Sequence, residues 1–141
     1  MNKMMMMKGK LGLGSLLLLG SMAAHAGAVV VSRDSPLAPF DADEAKKVFL
    51  GREAVIGGQS VSVIYQKDGA TRTDFETKVL GKTGSDLSAY WSKLIFTGKA
   101  AAPDEVAGDA GVRAKLAGSP GAVGYVSDAG VDGSVKVLFK Y

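Results

Sequence analysis

The chain has 141 residues, 17 of them Lys or Arg and 14 Asp or Glu, with one histidine and no cysteine. That composition excludes a disulfide scaffold, thiolate metal ligation and thiol catalysis. The length sets a single domain as the expectation, and the basic pI of about 9.1 has a local origin.

The first 26 residues read as a cleaved secretory signal. "MNKMMMMKGK" carries Lys3, Lys8 and Lys10, "LGLGSLLLLGSM" is an apolar core, and "AHA", Ala24 to Ala26, places small residues before Gly27. The apolar run is shorter than the roughly 20 residues a membrane-spanning helix needs, so removal is expected rather than membrane insertion. No cysteine follows to accept a lipid. Three of the 17 basic residues and none of the acids precede residue 27, which leaves 14 of each sign and no net charge in residues 27–141. The basic pI thus belongs to the signal and argues for neither nucleic acid nor an anionic membrane as partner. His25 leaves with the signal, so histidine triads and histidine-ligated metals are excluded from the exported chain. No catalytic residue, metal or cofactor is expected, and the localisation read here is periplasmic.

"AVVVS", Ala28 to Ser32, reads as a buried strand. "RDSPLAPF" is a loop held irregular by Pro36 and Pro39. "DADEAKKVFLG" is a helix with Asp41 as N-cap, Glu44 three residues on, Ala45, Val48 and Phe49 inside, and Gly51 as stop. "REAVIGGQS" is a turn region. "VSVIY", Val61 to Tyr65, reads as a strand covered on both faces, since Ile64 interrupts the alternation. A short loop opens a helix over Thr71 to Leu80, with Phe75, Val79 and Leu80 inside and Gly81 at its end. Ser85 is read as the cap of another helix, with Leu87, Tyr90, Trp91 and Leu94 at helical spacing. "FTGKAAAPDEVAG" reads as a loop, and Asp109 as the cap of a helix burying Val112 and Leu116. "AVGYVS" is a third strand. "VKVLF" is a fourth, with Val135, Val137 and Phe139 alternating. Strands interleaved with helices predict an α/β fold with a mixed sheet flanked by helices.

Three blocks in this order, "DEAKKVFLG", "YWSKLIFTG" and "SPGAVGYVS", resemble phosphate ABC transporter substrate-binding proteins. The similarity runs from about Val29 to Phe139. It implies a type II periplasmic-binding-protein-like fold. In that family two hinged α/β lobes close on phosphate with helix N-termini, hydroxyls and an arginine. This chain has the length of one lobe and is similar to the family's short, stand-alone members.

The resemblance directs attention to "VIYQKDGATRTDFETKVLG". Where the family shows an arginine, then Asp-Gly-Ser-Gly-Thr and a helix, this chain has Gln66 or Lys67, then Asp68, Gly69, Ala70 and Thr71. The expected oxyanion site is therefore Lys67, Gly69, Ala70, Thr71 and Arg72. It would use the amides of residues 70–72, the Thr71 hydroxyl and a nearby cation. Arg72→Ala is expected to weaken it. The alternative is an ordinary strand-to-helix turn with Thr71 as N-cap, Asp74 as capping partner and Arg72 in solvent. An open, one-lobe site would be weak without a second wall from a homodimer or an envelope protein. The competing function is a non-catalytic interaction or scaffold module whose anion site has decayed.

Other groups are read conservatively. Trp91 and Tyr90 are expected in the core rather than as a binding platform. Asp41, Asp43 and Glu44 are expected at a helix start rather than as an acid–base pair. "DAGVDGS" lacks the acidic spacing of a calcium loop. Arg33, Asp34 and Ser35 are read as a solvated loop, with an anion-binding role as the alternative.

Overall fold

A computed structural model describes residues 26–141 of the chain. The signal read at residues 1–26 lies, apart from Ala26, outside the described residues. Strand β1 (Gly27–Ser32) leads to helix α1 (Ala42–Phe49), a small hairpin of β2 (Val55–Ile56) and β3 (Gln59–Ser60), and strand β4 (Ser62–Gln66). Helix α2 (Ala70–Phe75) continues as one π-helical turn, Glu76–Leu80, and is followed by α3 (Gly84–Phe96). Then come β5 (Asp104–Val106), α4 (Gly108–Ala117), β6 (Ala122–Ser127), a 3₁₀ turn at Asp128–Gly130 and β7 (Val135–Lys140).

Five strands form one sheet in the order β5-β4-β6-β1-β7, with β4 parallel to β5 and β6, and β1 antiparallel to β6 and β7. The sheet separates two apolar layers. Val29 and Val31 of β1, Tyr65 of β4 and Val123 and Tyr125 of β6 face α1, α2 and α3. Ala28, Val30, Ile64, Ala122 and Val126 face Val112 and Leu116 of α4. Both faces are covered, which is why β1 and β4 are apolar without strict alternation.

Helix α1 starts as its sequence predicts. The Asp41 carboxylate accepts from the Glu44 N–H at 2.8 Å, satisfying a donor the helix leaves open. Its far end is closed by aromatic hydroxyls. Tyr65 Oη donates to Phe49 O, Tyr90 Oη donates to Leu50 O at 2.6 Å, and Trp91 Nε1 donates to Tyr65 Oη at 3.3 Å. Tyr90 and Trp91 therefore lock α3 onto α1.

Four local expectations are corrected. The Lys99–Val106 stretch read as loop contains β5, a three-residue edge strand. The turn region around Gly57 and Gly58 closes the β2–β3 hairpin. In β7 the pairing shifts between Val29 and Val30, leaving Leu138 as an extra residue, so Val135 and Leu138 are buried while Val137 and Phe139 are only half-buried. Ser85 does not cap α3. Thr83 holds the N-cap position without a side-chain bond, and the Glu76 carboxylate accepts from the Gly84 N–H at 3.1 Å instead.

Helix α4 sits directly on β6 because residue 124 has no side chain. A Cβ on Gly124 would lie 2.6 Å from Val112 Cγ1. Gly124→Ala is expected to force α4 outward and cost about 1–3 kcal/mol. Urea unfolding should show the loss with an unchanged m-value.

Candidate functional site

Strands β4, β5 and β6 run parallel, so their carboxyl ends, Gln66, Val106 and Ser127, share one end of the sheet, where α/β folds place ligands. Helices α2 and α4 begin there. β1 runs the other way, pairing Gly27 with Ser127. The loop at Arg33, Asp34 and Ser35 therefore lies at the opposite end of the sheet and cannot join a site at α2.

The bend after β4 is made by Gly69, whose φ of 99° and ψ of 176° favour glycine. Gly69, not Thr71, holds the N-cap position, with no side-chain cap bond. Thr73 N–H is the first to close onto Gly69 O, at 3.1 Å. Among the described residues the N–H groups of Ala70, Thr71 and Arg72 meet no protein acceptor. Lys67, Gly69 and Ala70 are exposed and Thr71 is half-buried. Lys67 N–H extends the sheet by donating to Val106 O at 2.9 Å, and its ammonium makes no ion pair among the described residues. Asp74 pairs with Lys78 at 3.0 Å rather than capping the helix.

Arg72 is neither in solvent nor free. Its side chain is 20% exposed. Nε donates to Glu76, and Nη1 donates to Gln66 O at 2.9 Å, Lys67 O at 3.2 Å and Glu105 Oε2 at 3.0 Å. The guanidinium also lies over the Tyr65 ring, 5.4 Å from its centroid. Burial works against its charge, but the hydrogen bonds to Glu76 and Glu105 outweigh that and hold its pKa above the ordinary value. One cation thus serves two carboxylates, and the cluster is net negative. Its structural effect is to pin the carbonyls of Gln66 and Lys67 at the start of the loop.

Behind the loop is a polar network. Gln66 is buried, and its amide donates to Asp109 Oδ1 at 2.9 Å and Tyr125 O at 3.1 Å. Asp109 also accepts from Ser127 N–H and Oγ. Asp109 is therefore not the cap of α4. Ala107 holds that position, and the carboxylate is turned across to β6. Burial would raise its pKa. The Ser127 hydroxyl and N–H, the Gln66 amide and the Arg113 charge together lower it below the ordinary carboxylate value. A carboxylate with a depressed folded pKa adds stability above its unfolded pKa of about 3.9, and loses it as pH falls through the folded value. Asp109→Asn is expected to lower the melting temperature at pH 7, with the gap to the parent closing in acid. Thermal melts from neutral to acid pH read this directly.

Two surface concavities flank α3, of about 490 Å³ and 350 Å³. Of the five expected site residues only Arg72 lines either one, the larger. Ala70 is exposed and Thr71 half-buried, and neither lines either concavity. Among the described residues no group of three or more His, Asp or Glu side chains converges as a metal site, and no helix is long and apolar enough to cross a membrane. Sequence reasoning missed Glu76, Glu105 and Asp109 as the partners that organise this end of the sheet. Glu76 had a local signal, standing four residues after Arg72.

No family model matches the chain, and no curated protein matches it in sequence. Solved structures do. An ABC-type phosphate transport receptor from Vibrio cholerae superposes with a TM-score of 0.64 and 22% identity, over 81% of this chain and 45% of that one. A phosphate ABC transporter substrate-binding protein from Clostridium perfringens, described with bound phosphate, gives 0.63 and 18% over 81% and 44%. PstS from Borrelia burgdorferi gives 0.60 and 12% over 81% and 46%. These similarities establish the fold: a single periplasmic-binding-protein-like α/β lobe with a five-stranded mixed sheet. The chain spans less than half the length of each of these proteins. All three are binding proteins.

Proposed function

We propose that this chain is an exported, non-catalytic, one-lobe binding module for phosphate or a similar oxyanion, acting in the periplasm in the manner of a phosphate ABC transporter substrate-binding component. The observation that carries it is the turn at the carboxyl end of β4. Among the described residues the N–H groups of Ala70, Thr71 and Arg72 meet no protein acceptor there, and the nearby Lys67 ammonium makes no ion pair. The fold shared with phosphate receptors supports the choice of ligand.

Magnitudes make the site weak. A helix terminus contributes about 0.3–1 kcal/mol to a nearby charge. Hydrogen bonds to a charged group add about 1.5–3 kcal/mol each before competition with water. Micromolar affinity needs about 8 kcal/mol. Three amides of a one-lobe site, without the Arg72 charge, place the affinity near the millimolar range, and a homodimer partner or envelope protein would supply the missing wall. Phosphate titration followed by amide NMR is expected to move the Gly69 to Arg72 signals most. Lys67→Ala should weaken binding about twofold to fivefold, roughly what one exposed charge is worth. Absence of any shift at those amides in tens of millimolar phosphate would sink the reading.

A second reading is an envelope interaction module with a decayed anion site. It is favoured by the two carboxylates that occupy Arg72 and by Ala70 standing where the family shows a serine. It predicts a bound envelope partner and indifference to Lys67→Ala.

A further inference from the structure

Gly27 directly follows the small-residue site Ala24 to Ala26, and the fold closes around its nitrogen. On one side it pairs with Ser127 of β6. On the other, Gly27 N–H and Ala26 N–H both donate to the main-chain oxygen of Tyr141, at 3.2 Å and 2.8 Å, and Tyr141 N–H donates back to Gly27 O at 3.1 Å. Ala26 O accepts from Asp128 N–H at 3.2 Å. The peptide group joining Ala26 to Gly27 is thus bonded through both its polar atoms. A bond held in this way is closed to a protease, so the cut belongs to the extended chain, before β1 settles between β6 and β7. Residue 27 has no room for a side chain. A Cβ there would collide with Tyr141 Oη and lie 2.6 Å from Tyr141 Cζ. That hydroxyl oxygen is buried against Gly27 and has no hydrogen-bond partner, a costly state for a buried polar group.

We propose that cleavage between Ala26 and Gly27 creates a structural cation, the α-ammonium of Gly27, which is held by the main-chain oxygen and the hydroxyl of Tyr141 beside Asp128. Removal of residue 26 turns one neutral N–H into three charged donors. One keeps the Tyr141 main-chain oxygen, and another reaches the orphaned hydroxyl. Tyr141 is the last residue of the sequence, and in a chain ending there its main-chain oxygen is part of a carboxylate. The surroundings favour the charge. Asp74 of α2, Asp109 of α4 and Asp128 after β6 all lie close enough to the Tyr141 hydroxyl to oppose its ionisation, as does Tyr125. Asp74 is shared with Lys78, and Asp109 is engaged by Ser127 and Gln66 with Arg113 nearby. Asp128 makes no ion pair among the described residues, and Lys140 on β7 is the neighbouring exposed cation. Burial works against the ammonium, but the carboxylates and charge-assisted hydrogen bonds outweigh it. The proposal rests on the export reading and is independent of anion binding.

The test uses the protein exported by a bacterial host behind its own signal. Intact mass should show a chain beginning at Gly27. Any other first residue overturns the proposal and the cleavage reading together. The Gly27 Cα shift is then followed by NMR against pH. The α-amine should titrate about one unit or more above its ordinary 7.7–8.0. Tyr141→Phe keeps the ring on Phe75 and removes only the oxygen, so it should take back part of that shift, which a merely structural role for the ring would not do. An acetyl group on Gly27 rebuilds the Ala26 carbonyl without the charge. Because the folded pKa is raised, the stability from the charge is complete below about pH 7.7 and is lost as pH rises through the folded value. The melting temperature of the free chain relative to the acetylated one should therefore fall across that window. A Gly27 start with an ordinary midpoint, a midpoint unmoved by Tyr141→Phe, or a pH-independent difference between the two chains overturns the proposal and leaves the cleavage reading standing.

Discussion

Replacing Phe75 by alanine is expected to cost about 3–5 kcal/mol, a large share of the 5–15 kcal/mol typical for a small domain. The side chain is fully buried and stacks on Tyr125 with ring centroids 3.9 Å apart and planes 6° apart. It also meets Phe49 edge-on at 4.8 Å and Tyr141 at 5.5 Å. Such pairs add roughly 0.5–1.5 kcal/mol beyond area burial. Phe75 is the only buried residue of α2, so its loss also frees the helix that presents the Ala70 to Arg72 amides. Urea unfolding measures the global cost. Hydrogen exchange at Thr73 N–H, the first bond of α2, reports the local loosening. Phe75→Leu, which keeps most of the volume, should lose markedly less. If Phe75→Ala costs under about 1 kcal/mol, the aromatic cluster is not what holds α2 to the sheet.

The parts of this fold that were legible in the sequence are those with a local cause. The Val29 to Val31 run, the Asp41 cap with Ala45, Val48 and Phe49 behind it, and the Leu87–Trp91 spacing each carry their own signal. They became β1, α1 and α3. What escaped depends on residues far apart in sequence. β5 is three residues after Pro103, with two acids in it, and is a strand only because Ile64 and Gln66 pair with Asp104 and Val106. The burial pattern of β7 turned on one bulge opposite β1. At the candidate site the Gly69 bend and the helix beyond it were readable. The burial of Gln66 was not, because its partners Asp109 and Tyr125 come from α4 and β6. Arg72 appeared to offer a free cation since Glu105 reaches it only through the unrecognised β5.

Arg72 is where the anion reading and the stability of the lobe meet, and a double substitution separates them. Arg72→Met alone leaves the Glu76 carboxylate, 7% exposed, without its cation. Breaking a buried pair from one side costs about 3–5 kcal/mol, and this change also removes the donors to Gln66 O and Lys67 O. Adding Glu76→Gln takes away the stranded charge. It keeps an oxygen for the Gly84 N–H, so the double variant is expected to regain about 2 kcal/mol or more, a non-additivity that reports direct coupling. Equilibrium unfolding of the parent, both single variants and the double variant gives that number. Phosphate binding to the double variant then isolates the ligand question. Arg72 already serves two carboxylates and its side chain contributes little to an anion at the loop, so the Gly69 to Arg72 amide shifts should survive within about threefold, less than one exposed charge pair at its strongest. A tenfold or larger loss in a variant that is still stably folded would mean that the arginine side chain belongs to the site, through its charge or through its hold on the Gln66 and Lys67 carbonyls.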